Sequence, residues 1–88
     1  MITKQVTNRY NKKVWTVRQM TLEEVLDLSY GEHIWFICSD GKLGRAKVNG
    51  AVRRWKRNPD RFVLPLKYGL YEYATFTNSD IDRLVIPI

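Results

Sequence analysis

One cysteine and one histidine stand in the 88 residues. An intrachain disulfide is therefore excluded, and so is a zinc site of the Cys/His type, which draws on several such ligands. Cys38 lies in the apolar run Ile34-Trp35-Phe36-Ile37-Cys38. That setting suits a buried structural thiol, since a reactive one needs exposure and a lowered pKa. His33 has no acid–base constellation near it in sequence and reads as a partly exposed boundary residue. There is no GxxxxGK[ST] or GxGxxG phosphate loop. Glu23, Glu24 and Asp27 read as the solvated face of a helix whose start favours acids. Asp80 and Asp82 fall in a turn, which is too little for a metal site. The inventory holds no catalytic residue, no metal-ligand set and no cofactor motif, so a non-enzymatic protein is expected.

Long apolar runs are also missing. Nothing approaches the ~20 residues that span a bilayer. The start, Met1-Ile2-Thr3-Lys4-Gln5-Val6, shows no apolar stretch of signal-peptide type. No strongly amphipathic basic helix speaks for a membrane surface. Linkers, low-complexity tracts and repeats are absent; the twenty-residue spacing of Trp15, Trp35 and Trp55 is accidental, because their flanks differ. A single soluble domain over residues 1–88, cytoplasmic and reducing, is the expectation.

What the chain has in quantity is positive charge in one place. Between residues 45 and 67, Arg45, Lys47, Arg53, Arg54, Lys56, Arg57, Arg61 and Lys67 face a single acid, Asp60. The stretch carries +7 and the rest of the chain −1, so it accounts for the whole net charge of +6. Trp55 lies inside it, and Tyr68, Tyr71 and Tyr73 follow.

One segment reads as a helix, about residues 22–30. Thr21-Leu22-Glu23-Glu24 forms a capping-box pattern. Leu22, Val25, Leu26 and Ser29 share one face, and Gly31 is placed to end the helix. The chain then punctuates as a β-meander. Ile34–Ser39 is rich in β-branched and aromatic residues, and Asp40-Gly41 signals a tight turn. Leu43–Val48 alternates, with Arg45 and Lys47 on one side and Gly44, Ala46 and Val48 on the other. Asn49-Gly50 signals a second hairpin, leading into a strand over 51–56. Asn58-Pro59-Asp60 reads as a turn. Phe62, Leu64 and Leu66 alternate around Pro65, which implies an edge or a bulge. A strand over Tyr71–Thr77, a short turn starting at Asn78-Ser79-Asp80, and a last strand Val85–Ile88 follow. Val14–Met20 pairs with Ile2–Val6. Five to seven short strands with one helix suggest a mainly β domain. Curling would remove exposed edges, so a small, strongly bent antiparallel barrel is expected, SH3-like first and OB-like second.

The stretch Asn49-Gly50-Ala51-Val52-Arg53-Arg54-Trp55-Lys56-Arg57-Asn58-Pro59-Asp60-Arg61, with Pro65-Leu66-Lys67-Tyr68-Gly69-Leu70, resembles small prokaryotic and phage-encoded proteins of unassigned function with SH3-like barrels. The resemblance covers about a quarter of the chain. It implies a small viral or mobile-element protein and assigns no residue a role.

Cations interleaved with aromatic rings are what a nucleic-acid surface requires, for phosphates and for bases respectively. The expected binding residues are Arg45, Lys47, Arg53, Arg54, Lys56, Arg57 and Arg61 for phosphates, with Trp55, Tyr71 and Tyr73 for stacking. An Asn49-Gly50 hairpin would set Arg45 and Lys47 beside Arg53 and Arg54. Tyr10 and Tyr68 could line a rim. Trp35, Phe36, Phe62 and Phe76 are assigned to the core, and Trp15 to the core or its margin. Trp55 has two readings, an exposed stacking platform or an amphipathic core residue. The expected partner is single-stranded DNA or RNA, or structured RNA, because no helix carries the charge into a major groove. Three alternatives remain: docking on an acidic host protein, neutralisation by another subunit of an assembly, and ordinary solubilising cations on strands.

Overall fold

The computed structural model describes residues 2–54, 57 and 61–88. Eight strands form one antiparallel sheet: β1 Thr3–Thr7, β2 Val14–Gln19, β3 His33–Ile37, β4 Leu43–Val48, β5 Arg53–Arg54, β6 Phe62–Lys67, β7 Tyr73–Thr77 and β8 Leu84–Pro87. Helix α1 spans Leu22–Leu26, and a 3-10 helix spans Asn78–Arg83. The strand order is β1-β2-β8-β3-β4-β6-β5, with β7 on the other side of β6. The fold is thus mainly β, with short helices. Among the described residues no strand pairing joins the two ends of this path, and no helix is long and apolar enough to cross a membrane.

Local chemistry accounts for most elements. The capping box forms: Glu24 N–H donates to Thr21 Oγ1 at 3.2 Å, and Thr21 N–H donates to Glu24 Oε1 at 3.0 Å. Val25 is buried, while Leu22 and Leu26 pack beside it on the main core. The helix is shorter than the pattern over 22–30, ending at Leu26 with Asp27 as its C-cap. Gly31 adopts φ +91°, but its N–H donates to Val48 O, so it serves the approach to β3 and not the helix end. At Asp40-Gly41 only Gly41 is left-handed, and Gly41 N–H donates to Cys38 O at 2.9 Å. That is a three-residue hairpin loop between β3 and β4.

The expected Asn49-Gly50 hairpin does not form. A primed turn needs positive φ at the first central residue, and type I′ at both; neither Asn49 nor Gly50 has it. Instead β4 pairs with β6, Val48 opposite Leu66 and Lys47 opposite Lys67, and Asn49 N–H donates to Pro65 O. The reason is burial. Phe62, Leu64 and Leu66 are at most 1% exposed and complete the core with Ala46 and Val48, whereas Arg53 and Arg54 offer nothing to bury. β5 is left to pair with the start of β6, Arg53 opposite Val63 and Arg54 opposite Phe62. Pro65 sits where this flank of β6 passes from β4 to β5. A strand residue's N and O point to the same side, so its missing N–H lies on the Asn49 side and the β6–β7 ladder is undisturbed. Ala51 and Val52, at the start of the expected strand over 51–56, are not in a strand, and its end and the Asn58-Pro59-Asp60 turn fall outside the described residues.

The sheet bends twice, and the two cores record it. The larger holds Met20, Val25, Ile34, Phe36, Ala46, Val48, Phe62, Leu64, Leu66, Phe76 and Leu84. Phe36 of β3 meets Phe76 of β7 edge-on at 5.7 Å although β4 and β6 stand between them. On the opposite face Val6, Val17, Leu43 and Val85 form a smaller core with Trp15, Trp35 and Ile37. There the end of β1 reaches the start of β4 through an Asn8–Leu43 bridge. β3 and β8 therefore have apolar neighbours on both faces.

Candidate nucleic-acid interface

Alternation along the strands decides which side chains share a face, because directly opposed residues point the same way. In β3, Ile34 and Phe36 enter the larger core, so His33, Trp35 and Ile37 project to the other side. In β4, Arg45 lies opposite Trp35 and Lys47 opposite His33. In β6, Lys67 lies opposite both Lys47 and Tyr73. One row therefore runs His33, Lys47, Lys67, Tyr73 across four strands, with Trp35 and Arg45 in the row beside it.

The β1–β2 loop folds over this face and turns it into a groove of about 570 Å³, lined by Tyr10, Asn11, Trp15, His33, Trp35, Arg45, Lys47, Lys67 and Tyr68 among others. Asn8 holds the loop. It is 2% exposed, and its Oδ1 accepts the N–H groups of Tyr10 and Asn11. Tyr10 packs 6.4 Å from Trp35, and its hydroxyl accepts Arg45 N–H at 3.2 Å. Trp15 meets Trp35 edge-on at 5.1 Å. The cations rest on rings: Arg45 lies 5.5 Å from Trp35, Lys47 5.8 Å from Tyr30, and Lys67 5.8 Å from Tyr73. Such contacts keep a cation near an apolar wall while leaving its charge unneutralised.

The Glu72 side chain lies against Gly69 at the groove margin. Among the described residues the ion pairs are Arg9–Asp40, Arg18–Glu24 and Arg83–Asp80, none of them in the groove. No carboxylate lines it. Among the described residues no group of three His, Cys, Asp or Glu side chains could hold a metal. Cys38 sits on the other side against Gly44 and Arg9, where burial pushes its thiol up, away from the reactive thiolate. No family model matches the chain, and no curated protein or solved structure matches it either. The resemblance over residues 49–70 thus brings no residue role with it, and the site rests on its own geometry.

The residues expected from the sequence divide into groups. Arg45 and Lys47 are exposed and central to the groove, and Tyr73 borders it through Lys67. Arg53 shares the outer face but lies further along β6, beside Val63 and Pro65. It is not next to Arg45 or Lys47, as the missing hairpin would have required. Arg54 opposes Phe62 and so points to the opposite face. Arg57 and Arg61 are exposed. Tyr71 is 88% exposed, but in the loop before β7 and not in the strand. Trp55 and Lys56 lie outside the described residues. Trp35, assigned to the core, is only half-buried and forms the groove floor. Lys67, His33, Trp15 and Tyr30 join the site without having been singled out for it. The signal for Trp35 was present: Arg45 and Trp35 fall opposite each other once the Asp40-Gly41 loop fixes the β3–β4 register.

Proposed function

We propose that this protein is a non-enzymatic nucleic-acid-binding module built on a bent, SH3-like β-sheet, and that the groove over β3, β4 and β6 receives a single strand. One observation carries the reading. Arg45, Lys47 and Lys67 line the groove together with the rings of Tyr10, Trp15 and Trp35, and no carboxylate does. Phosphates are met by unpaired cations and bases by flat rings, the combination used for single strands with weak sequence preference. A duplex is disfavoured because its bases are already stacked and no helix presents the charge to a groove.

The test is binding of labelled single-stranded DNA, RNA and duplex DNA, each about 20 nucleotides long, across a salt series. Two or three phosphates held by Arg45, Lys47 and Lys67 give a slope of about −1.4 to −2 in log K against log salt for a single strand. Trp35→Leu, which keeps apolar bulk but removes the indole, weakens binding by about 1–3 kcal/mol. Absence of binding at low salt overturns the proposal. Equal binding of polyglutamate redirects it to an acidic protein partner.

A further inference from the structure

From the cross-strand row we infer that the ligand runs perpendicular to the strands, along His33, Lys47, Lys67 and Tyr73, and that its smallest complete unit is two nucleotides flanking one phosphate. This inference rests on the nucleic-acid reading and adds to it a path, a length and a role for Tyr73.

Lys47 and Lys67 are directly opposed across β4 and β6. Like charges so placed repel, and no described acid pairs with either. Their ammonium groups part in opposite directions, Lys47 to the Tyr30 ring and Lys67 to the Tyr73 ring, each at 5.8 Å. An anion between them would receive both charges at once. At one end of the row, one step along β3 from His33, stands the Trp35, Trp15 and Tyr10 cluster. At the other stands Tyr73, 58% exposed and on the same face as Lys67. Adjacent strands are about 4.8 Å apart, so the β3 and β7 backbones are about 14 Å apart along the sheet, with the two lysines between them. Ring, cation pair, ring is the order of base, phosphate, base. A mononucleotide reaches one ring end and the lysines. A dinucleotide reaches both.

The experiment is titration of the isotope-labelled protein with thymidine monophosphate, the thymidine dinucleotide with one internal phosphate, and thymidine 20-mers, followed by NMR. The expected result has the dinucleotide shifting Trp35 and Tyr73 ring signals together, while the mononucleotide, held at the larger aromatic cluster, shifts Trp35 alone. Tyr73→Leu should reduce dinucleotide affinity at least about fivefold and leave mononucleotide affinity unchanged. Lys47→Ala and Lys67→Ala should be non-additive, because they share one phosphate. If the 20-mer binds while Tyr73 stays silent, or if the two lysine effects add, the path is wrong and the nucleic-acid reading survives. If the 20-mer does not bind, that reading falls and this one with it. All three side chains are at least partly exposed, so the variants should fold.

Discussion

Glu24 shows how one side chain can hold several pieces of structure. It accepts Thr21 N–H as the return half of the capping box and takes a two-point bond from Arg18, with both N–O distances at 2.7 Å. Through Arg18, on β2, it ties the helix start to the sheet. The Arg18 guanidinium, followed by the Thr21 backbone, holds the Glu24 carboxyl well below the usual carboxylate range, at about 2. The ionised form is thus favoured by folding. Its contribution is whole above the ordinary carboxylate pKa and disappears as pH falls from about 4.5 toward about 2. Glu24→Gln keeps an acceptor for Thr21 but loses the charge. Urea denaturation should therefore find the variant less stable than wild type at pH 7, with the gap closing across that acid window. A gap independent of pH would show that the charge on Glu24 contributes nothing.

Elements are where local and long-range signals compete. The capping box, the alternation of β4 and β6, the Asp40-Gly41 loop and the β1–β2 pairing were legible, because each is set by neighbours in sequence. The Asn49-Gly50 hairpin was misread because its turn chemistry is weaker than the burial of Phe62, Leu64 and Leu66, and no local pattern reveals that β6 will take the edge of β4. Half of the site followed the same division. Arg45 and Lys47 were visible from alternation, whereas Lys67 and Tyr73 joined them only through the β4–β6–β7 register. Trp35 was lost because β3 has apolar residues on both faces, so its period does not distinguish core from groove. Two element-level outcomes follow. A Cβ on Gly44 would lie 2.7 Å from Cys38 Sγ and 3.1 Å from Phe36 Cζ. Gly44→Ala should cost about 1–3 kcal/mol, and adding Cys38→Ala should recover part of it in a thermal melt; no recovery would place the strain on Phe36 alone. Lys67→Thr removes one of two opposed like charges and adds a β-former. It should raise stability by about 0.5 kcal/mol in urea at low salt while weakening oligonucleotide binding. A variant that loses stability would mean that the stem of Lys67 packing on Tyr73 outweighs the repulsion.

At the scale of the whole molecule, the double bend leaves one broad face whose groove is lined by cations and by no described carboxylate, with the described ion pairs elsewhere. Charge self-repulsion of this kind destabilises a folded chain and attracts a polyanion by the same field. Salt must then act on the two properties with opposite sign. At ~0.01 M the screening length is about 30 Å, longer than the groove, and at ~0.15 M it is about 8 Å. Raising salt across that range should increase the melting temperature of the free protein by relieving the Lys47–Lys67 face, and should decrease oligonucleotide affinity by removing the counterion-release advantage. The exposed ion pairs weaken over the same range, but each contributes about 0–1 kcal/mol and all are present in any variant that spares them. Comparison with Lys47→Gln plus Lys67→Gln isolates the groove. That double variant should melt higher than wild type at low salt, converge with it at ~0.15 M, and show a binding slope shallower by about 0.7, the share of one phosphate. If wild type and variant respond to salt in parallel, the repulsion is spread over the whole basic surface and the groove is not its focus.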